Sequence, residues 1–161
     1  MKKIILFLVI FTVTGCGYQL RGSNLESLRK SSVYLNYSHN TNLVNEVRRQ
    51  LEFADVPLAN GPNDAGYVLD LRNEHYRRDV LTVSAKTGKV EEYLLTYEVI
   101  MSVTDSGGNK IIDSSPVKIT RDYTFDEDSV LGKFNEEDQL KLEMSKHVAD
   151  YVLRRLQTVT K

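Results

Sequence analysis

The sequence predicts an α+β fold of two layers, a four-stranded mixed and mostly antiparallel sheet with two helices packed on one face, in the order β-α-β-β-β-α. Three observations predict it. Glu91–Thr104 and Lys110–Phe125 alternate apolar and polar residues, the period of a half-buried strand. Two other stretches, 42–54 and 135–156, repeat apolar residues every three or four positions, the period of a helix face. Gly-containing turns at 86–89 and 106–109 are short enough to close hairpins. A length of 161 residues fits one domain, at roughly 150 residues each.

Each element has its own signal. Ser31–Tyr37 places Val33, Leu35 and Tyr37 on one side of a short first strand. Asn40, Thr41 or Asn42 caps the first helix, whose stripe is Leu43, Val47 and Leu51 with Val44 and Ala54. Asp55-Val56-Pro57 stops it, and Asn60-Gly61-Pro62-Asn63 is a loop of breakers. Tyr67–Ser84 reads as a long, bent strand: apolar at Val68–Leu71, polar over Arg72–Asp79, apolar again over Val80–Val83. Gly88 supplies positive φ to the following turn. The third strand carries Tyr93, Leu95, Tyr97, Val99, Met101 and Val103 on one side. In the fourth, Pro116 removes a ladder donor and marks an edge or a bulge. Asp126–Phe134 is a partly acidic connector. Asn135 then caps a long helix with Glu136, Glu137 and Asp138 in its first turn and Arg154 and Arg155 near its end, both suited to the helix dipole. Leu140, Met144, Val148, Val152 and Leu156 form its stripe, widened by Leu142, Ala149 and Leu153. The β-α-β crossover permits one parallel pair of strands.

Composition excludes several functions. With 21 basic against 22 acidic residues, the chain is not a dedicated nucleic-acid binder, and no nucleic-acid partner is expected. One Cys makes neither an intramolecular disulfide nor a Cys-rich zinc site. That Cys has a telling position. Lys2 and Lys3 precede an apolar run, Ile4–Val13, whose ten residues would rise ~15 Å as a helix, half of a ~30 Å hydrocarbon core. This is an export signal rather than a span. Val13-Thr14-Gly15-Cys16 resembles the bacterial lipobox. The expected organisation is a cleaved signal peptide at 1–15, a lipidated linker at 16–30 and one domain over 31–161. A thioether-linked diacylglycerol plus an N-acyl chain on Cys16 gives stable anchoring, since one acyl chain alone holds only marginally. Gly17, where Asp would favour inner-membrane retention, points to the outer membrane.

Catalytic constellations are poor. Ser27–Lys30 and Lys86-Thr87-Gly88 match fragments of a penicillin-binding site, but the third element is missing and the chain is far too short. His39, His75 and His147 show no short ligand spacing, and Asp126-Glu127-Asp128 lacks the glycine-spaced loop of a calcium site. The chain is therefore read as no enzyme, with no metal and no cofactor beyond the covalent lipid on Cys16. The basic residues carry more information. Arg72, Arg77, Arg78, Lys86 and Lys89 fall on one strand and its turn, and Lys133 precedes the last helix. Backed by apolar strand residues, they suit a ligand with both phosphates and acyl chains. The competing reading is a solvated sheet face compensated by Asp70, Glu74 and Asp79.

Cys16-Gly17-Tyr18-Gln19-Leu20-Arg21-Gly22 resembles the processed N-terminus of the lipopolysaccharide-assembly lipoprotein family LptE. Val47–Leu51, Lys86–Tyr93, Arg121–Asp126, Leu131-Gly132-Lys133 and Glu136–Leu156 resemble its later segments in the same order. The resemblance implies an outer-membrane lipoprotein that is a plug in the LptD β-barrel, facing the periplasm and the barrel lumen and held to the inner leaflet by its lipid. It implies help in barrel assembly, binding of lipopolysaccharide and its insertion in the outer leaflet. It places the lipopolysaccharide contact at Lys86 and Lys133, with Arg77, Arg78 and Lys89 as weaker candidates. These cations would replace the divalent ions that bridge lipopolysaccharide phosphates. A Lys at 86, where relatives carry Arg, keeps charge without bidentate geometry. The alternative is a pilotin-like or general chaperone lipoprotein for another outer-membrane β-barrel or secretin.

Overall fold

A computed structural model of the chain describes residue 25, residues 27–125 and residues 130–160, the stretch 130–135 by its backbone alone. The expected signal peptide, Cys16 and the acidic run Asp126–Asp128 lie outside the described residues. The strands are β1 (Val33–Tyr37), β2 (Tyr67–Val83), β3 (Val90–Asp105) and β4 (Lys110–Thr124). The helices are α1 (Asn42–Phe53) and α2 (Val130–Val159), with short 3-10 turns at Leu28–Lys30 and Pro62–Asp64. The sheet order is β1-β2-β3-β4, with β1 parallel to β2 and the other pairs antiparallel. This is the α+β architecture that the patterns predict. No helix among the described residues is long and apolar enough to cross a membrane.

The helices cover one sheet face. Val33, Leu35, Leu69, Leu71, Leu95, Val99, Met101 and Val103 are buried from the sheet, against Leu43, Val47 and Leu51 of α1 and Met144, Val148, Val152, Leu153 and Leu156 of α2. Gln50 of α1 donates to Asp150 of α2 at 2.7 Å, and Glu46 lies near Lys146, so the two helices run side by side in the same direction. Leu142 departs from the expected stripe: it is 40% exposed, while Ala149 and Leu153 on the same side of the helix are fully buried. Thr41 is the cap of α1, accepting from Val44 N–H at 3.3 Å. The helix ends with Asp55 at φ 56, while Val56 N–H reaches back to Leu51 C=O at 3.0 Å, a left-handed C-terminal cap.

Two boundaries differ from expectation. The last helix starts at Val130, not at Asn135, so Lys133 stands inside its first turns rather than before it. The intervening sequence holds one weak breaker, Gly132, whose cost of about 1 kcal/mol a long packed helix absorbs. At the other end, Leu25 and Leu28 are 1% and 0% exposed within the core cluster. The chain just before β1 is thus part of the packed body, not a linker throughout.

Bulges shape the sheet. Asn73 (φ 53) and Glu74 together stand opposite Val99, and Asp113 and Ser114 (φ 46) stand opposite Ser102. Pro116 follows the second bulge on β4, which is the edge strand its sequence marks. At the other edge, Pro57 C=O and Ala59 N–H take both backbone groups of Val33.

Replacing Leu28 by Ala is expected to cost about 2–4 kcal/mol of unfolding free energy, the range for a fully buried Leu. Urea denaturation checks it; a loss under about 0.5 kcal/mol would place residues 25–30 outside the cooperative unit.

Candidate functional site

The bulge at Asn73 decides where the basic residues of β2 go. It inserts one residue and so exchanges the two sides of the strand. Before it, Leu69 and Leu71 face the helices. After it, Tyr76 pairs with Tyr97, Arg78 with Leu95 and Val80 with Tyr93, all on the helix-bearing face. Arg72 and Arg77 fall on the outer face. The five cations of the strand and turn therefore do not form one patch.

On the outer face the charges are compensated. Arg72 Nε meets Asp70 Oδ2 at 2.9 Å and its other nitrogen donates to Ser102 Oγ at 3.2 Å. Arg77 Nε meets Asp79 Oδ2 at 2.6 Å. Asp70 and Asp79 act as the spacing predicted. Glu74 does not: the bulge turns it inward, where it accepts from Thr41 Oγ1 at 2.5 Å and from the Tyr97 hydroxyl.

On the helix face, Arg78 is a pin. Its guanidinium lies 4.6 Å from the centroid of the Tyr93 ring, and Nη1 meets Glu137 Oε2 of α2 at 2.7 Å. The Tyr76 hydroxyl donates to the other Glu137 oxygen at 3.0 Å, and Lys141 Nζ stands 5.1 Å from the Tyr76 ring. Tyr93 stacks with Tyr123 at 6.5 Å and meets Phe125 edge-on at 5.5 Å. This aromatic and ionic cluster fastens the root of the β2–β3 hairpin to the start of α2. Sequence reasoning missed it, because the bulge hides the change of side. The Tyr at 76, 93 and 97 were its visible signal.

Beyond the pin the hairpin is exposed. Val80, Leu81 and Val83 are 55%, 43% and 52% accessible. Gly88, at φ 71, closes the turn, with Gly88 N–H on Ser84 C=O at 2.9 Å. Lys86 is exposed on this turn and forms no ion pair among the described residues. Lys89 follows, its N–H on Thr87 Oγ1 at 3.3 Å. The backbone of Lys133 lies one helical turn, about 6 Å, before Glu137. β2 runs about 16 Å beyond Arg78 to Val83, and Lys86 stands in the turn that follows. Both belong to the hairpin end of the molecule, at different heights above the pin. The side chain of Lys133 lies outside the described residues.

Elsewhere, a cavity of about 300 Å³ sits between β1 and α1, lined by Tyr34, Tyr37, Arg48 and Asn60 among others. It contains none of the predicted site residues. Among the described residues no group of three or more His, Cys, Asp or Glu is placed to hold a metal ion. The hairpin places a cationic tip above exposed apolar strand residues, on a root pinned to α2.

Residues 31–156 match the family described as LptE, lipopolysaccharide-assembly. The chain is 26% identical over 160 residues to the LPS-assembly lipoprotein LptE of Pectobacterium atrosepticum, covering 97% of this chain and 84% of that protein. Its fold is similar to the crystal structure of rare lipoprotein B from Shewanella oneidensis, with a TM-score of 0.71 and 30% identity over 79% of this chain and 94% of that one. It is also similar to a minor lipoprotein of Acinetobacter baumannii, with a TM-score of 0.65 and 27% identity over 79% and 90% of the two chains.

The inward cluster gives the fold an alkaline limit. Burial, and then the hydrogen bond to Glu74, hold the Tyr97 phenol well above its usual range. Burial and Glu137 do the same for Tyr76. A raised phenol stays protonated in the folded state while the unfolded chain ionises near 10, so its contribution is complete below about pH 10 and is lost as pH rises beyond it. Urea midpoints measured from pH 8 to 11 are expected to fall above pH 10. The decline should be shallower in Tyr97→Phe, and an equal decline in both proteins would remove Tyr97 as its source.

Proposed function

Because this chain belongs to the LptE family of lipopolysaccharide-assembly lipoproteins, we propose that it works as the plug of an LptD-type outer-membrane β-barrel. In this reading it helps the barrel assemble, binds lipopolysaccharide and assists its insertion in the outer leaflet. The role calls for binding and organisation, and no step in it requires catalysis. A lipid on Cys16 anchors the chain to the inner leaflet of the outer membrane, and the folded body faces the periplasm and the barrel lumen.

One observation carries the lipopolysaccharide part of this reading. The β2–β3 turn presents Lys86 without a compensating carboxylate, at the end of a hairpin whose root is fixed by the Arg78–Glu137 pair. A lone ammonium in water attracts phosphate weakly, but several cations meeting a multiply phosphorylated headgroup act together. Lys86 and Lys133 are the contacts, displacing the divalent ions that hold neighbouring headgroups. Arg77 and Arg78 take lesser parts, since each already has a carboxylate partner at 2.6 or 2.7 Å. Lys89 supports the same turn. The outer sheet face, with its Arg–Asp pairs, suits the polar lumen of a large barrel.

Two measurements test the reading. A C-terminally tagged chain purified from detergent-solubilised outer membrane is expected to bring down one large β-barrel protein in stoichiometric amount. Recovery of a secretin, or of no barrel at all from correctly lipidated protein, overturns the plug assignment. Reversal of both charges, Lys86→Glu with Lys133→Glu, is expected to weaken lipopolysaccharide binding by roughly tenfold or more at unchanged melting temperature. Wild-type affinity in that variant rejects the two lysines as the site.

A further inference from the structure

The exposed part of the hairpin is more than a cationic tip. From Val80 to Val90 the sequence is Val-Leu-Thr-Val-Ser-Ala-Lys-Thr-Gly-Lys-Val, with two lysines and no carboxylate. The nearest acids, Asp79, Glu91 and Glu92, flank the segment, and of these Asp79 is paired with Arg77 and Glu92 accepts from Thr82 Oγ1 at 3.1 Å. The register between β2 and β3 breaks on both sides of Thr82. This changes how the apolar side chains are displayed. Val80, opposite Tyr93, stands on the helix-bearing face. Val83, opposite Val90, returns to that same face, because the second extra residue, Glu91, lies on β3 and leaves the alternation from Thr82 to Val83 intact. Leu81 lies at the break between them. A strictly alternating strand would have sent these residues to fixed sides, with one side buried. Here the breaks bring Val83 to the side of Val80, and all three residues are 43–55% exposed just below the lysines.

We infer that Val80, Leu81 and Val83 form an apolar collar that takes acyl chains of the same lipopolysaccharide molecule whose phosphates meet Lys86. This rests on the lipopolysaccharide-binding reading above and assigns it a second subsite. Charge complementarity selects the occupant. A protein partner would be matched by apolar residues with mixed charge at the rim, whereas an acid-free segment of lysines above valine and leucine matches an amphiphile with anionic head and apolar tail. Burying two half-exposed aliphatic side chains of this size corresponds to roughly tenfold in affinity.

The test uses the full lipidated chain in detergent and two probes, intact lipopolysaccharide and the same lipopolysaccharide stripped of its acyl chains by alkali. In the double variant Leu81→Thr, Val83→Thr, which places strand-favouring β-branched residues at both positions, affinity for the intact molecule is expected to fall about tenfold, with affinity for the stripped one unchanged. Lys86→Glu is expected to weaken both. Equal loss for both probes in the double variant, or no loss for either, overturns the collar. Binding of the intact molecule no tighter than that of phosphatidylglycerol vesicles also overturns it, since a bilayer would then be the occupant. If the unaltered chain binds neither lipopolysaccharide probe, the reading on which the collar rests fails first, a result distinguishable from loss confined to the variant.

Discussion

The Glu74 carboxylate is the tie on which this architecture turns. It accepts from Thr41, the cap of α1, and from Tyr97 in the middle of β3, so one side chain of β2 joins the helix layer to the sheet. It reaches them only because Asn73 takes a left-handed conformation and β2 gains a residue against Val99. A non-glycine residue at positive φ is uncommon, and Asn is among those that adopt it at least cost. The same inserted residue then reverses the sides of everything downstream. Tyr76 and Arg78 turn toward α2, and Arg77 turns away. The bulge thus fixes both how the helices sit and which cations remain for other work.

Charge on this surface is unevenly used. Arg72, Arg77, Arg78 and Arg121 each hold a carboxylate within 2.9 Å. Arginine is suited to this, since its planar fork stacks on Tyr93 while it pairs with Glu137. The turn instead carries Lys86, whose compact, strongly hydrated ammonium meets no carboxylate among the described residues. Residue type follows position along the hairpin, with guanidinium groups building its root and ammonium groups crowning its tip.

Much of this was legible in the sequence. The two helices, the four strands, both hairpin turns and the edge position of Pro116 follow from periodicity and from Gly and Pro placement. Tyr93 through Val103 face the core as their alternation requires. What escaped was caused by local departures from period. A bulge leaves no signature in a pattern of alternate residues except a stretch that looks uniformly polar, as Arg72–Asp79 does. The start of α2 escaped because Val130–Phe134 is too short to show an apolar stripe and is interrupted by Gly132. Leu25 and Leu28 escaped because two isolated leucines in a polar stretch have no period. The site was legible as residue types, with Lys86 on a glycine turn, but not as geometry: five cations near in sequence separate onto two faces and a tip.

The parallel pairing of β1 with β2 has a consequence for reach. Both strands start at the end of the molecule where Leu25 and Leu28 are packed, and β2 runs 17 residues from there to the hairpin. At about 3.3 Å per residue that is on the order of 50 Å, once the bulges are allowed for. A bilayer with its headgroups is about 40–45 Å thick. The strand is thus longer than such a bilayer is thick. The end near Leu25 and Leu28 and the end that carries the lysines are held a bilayer's thickness apart by one continuous strand.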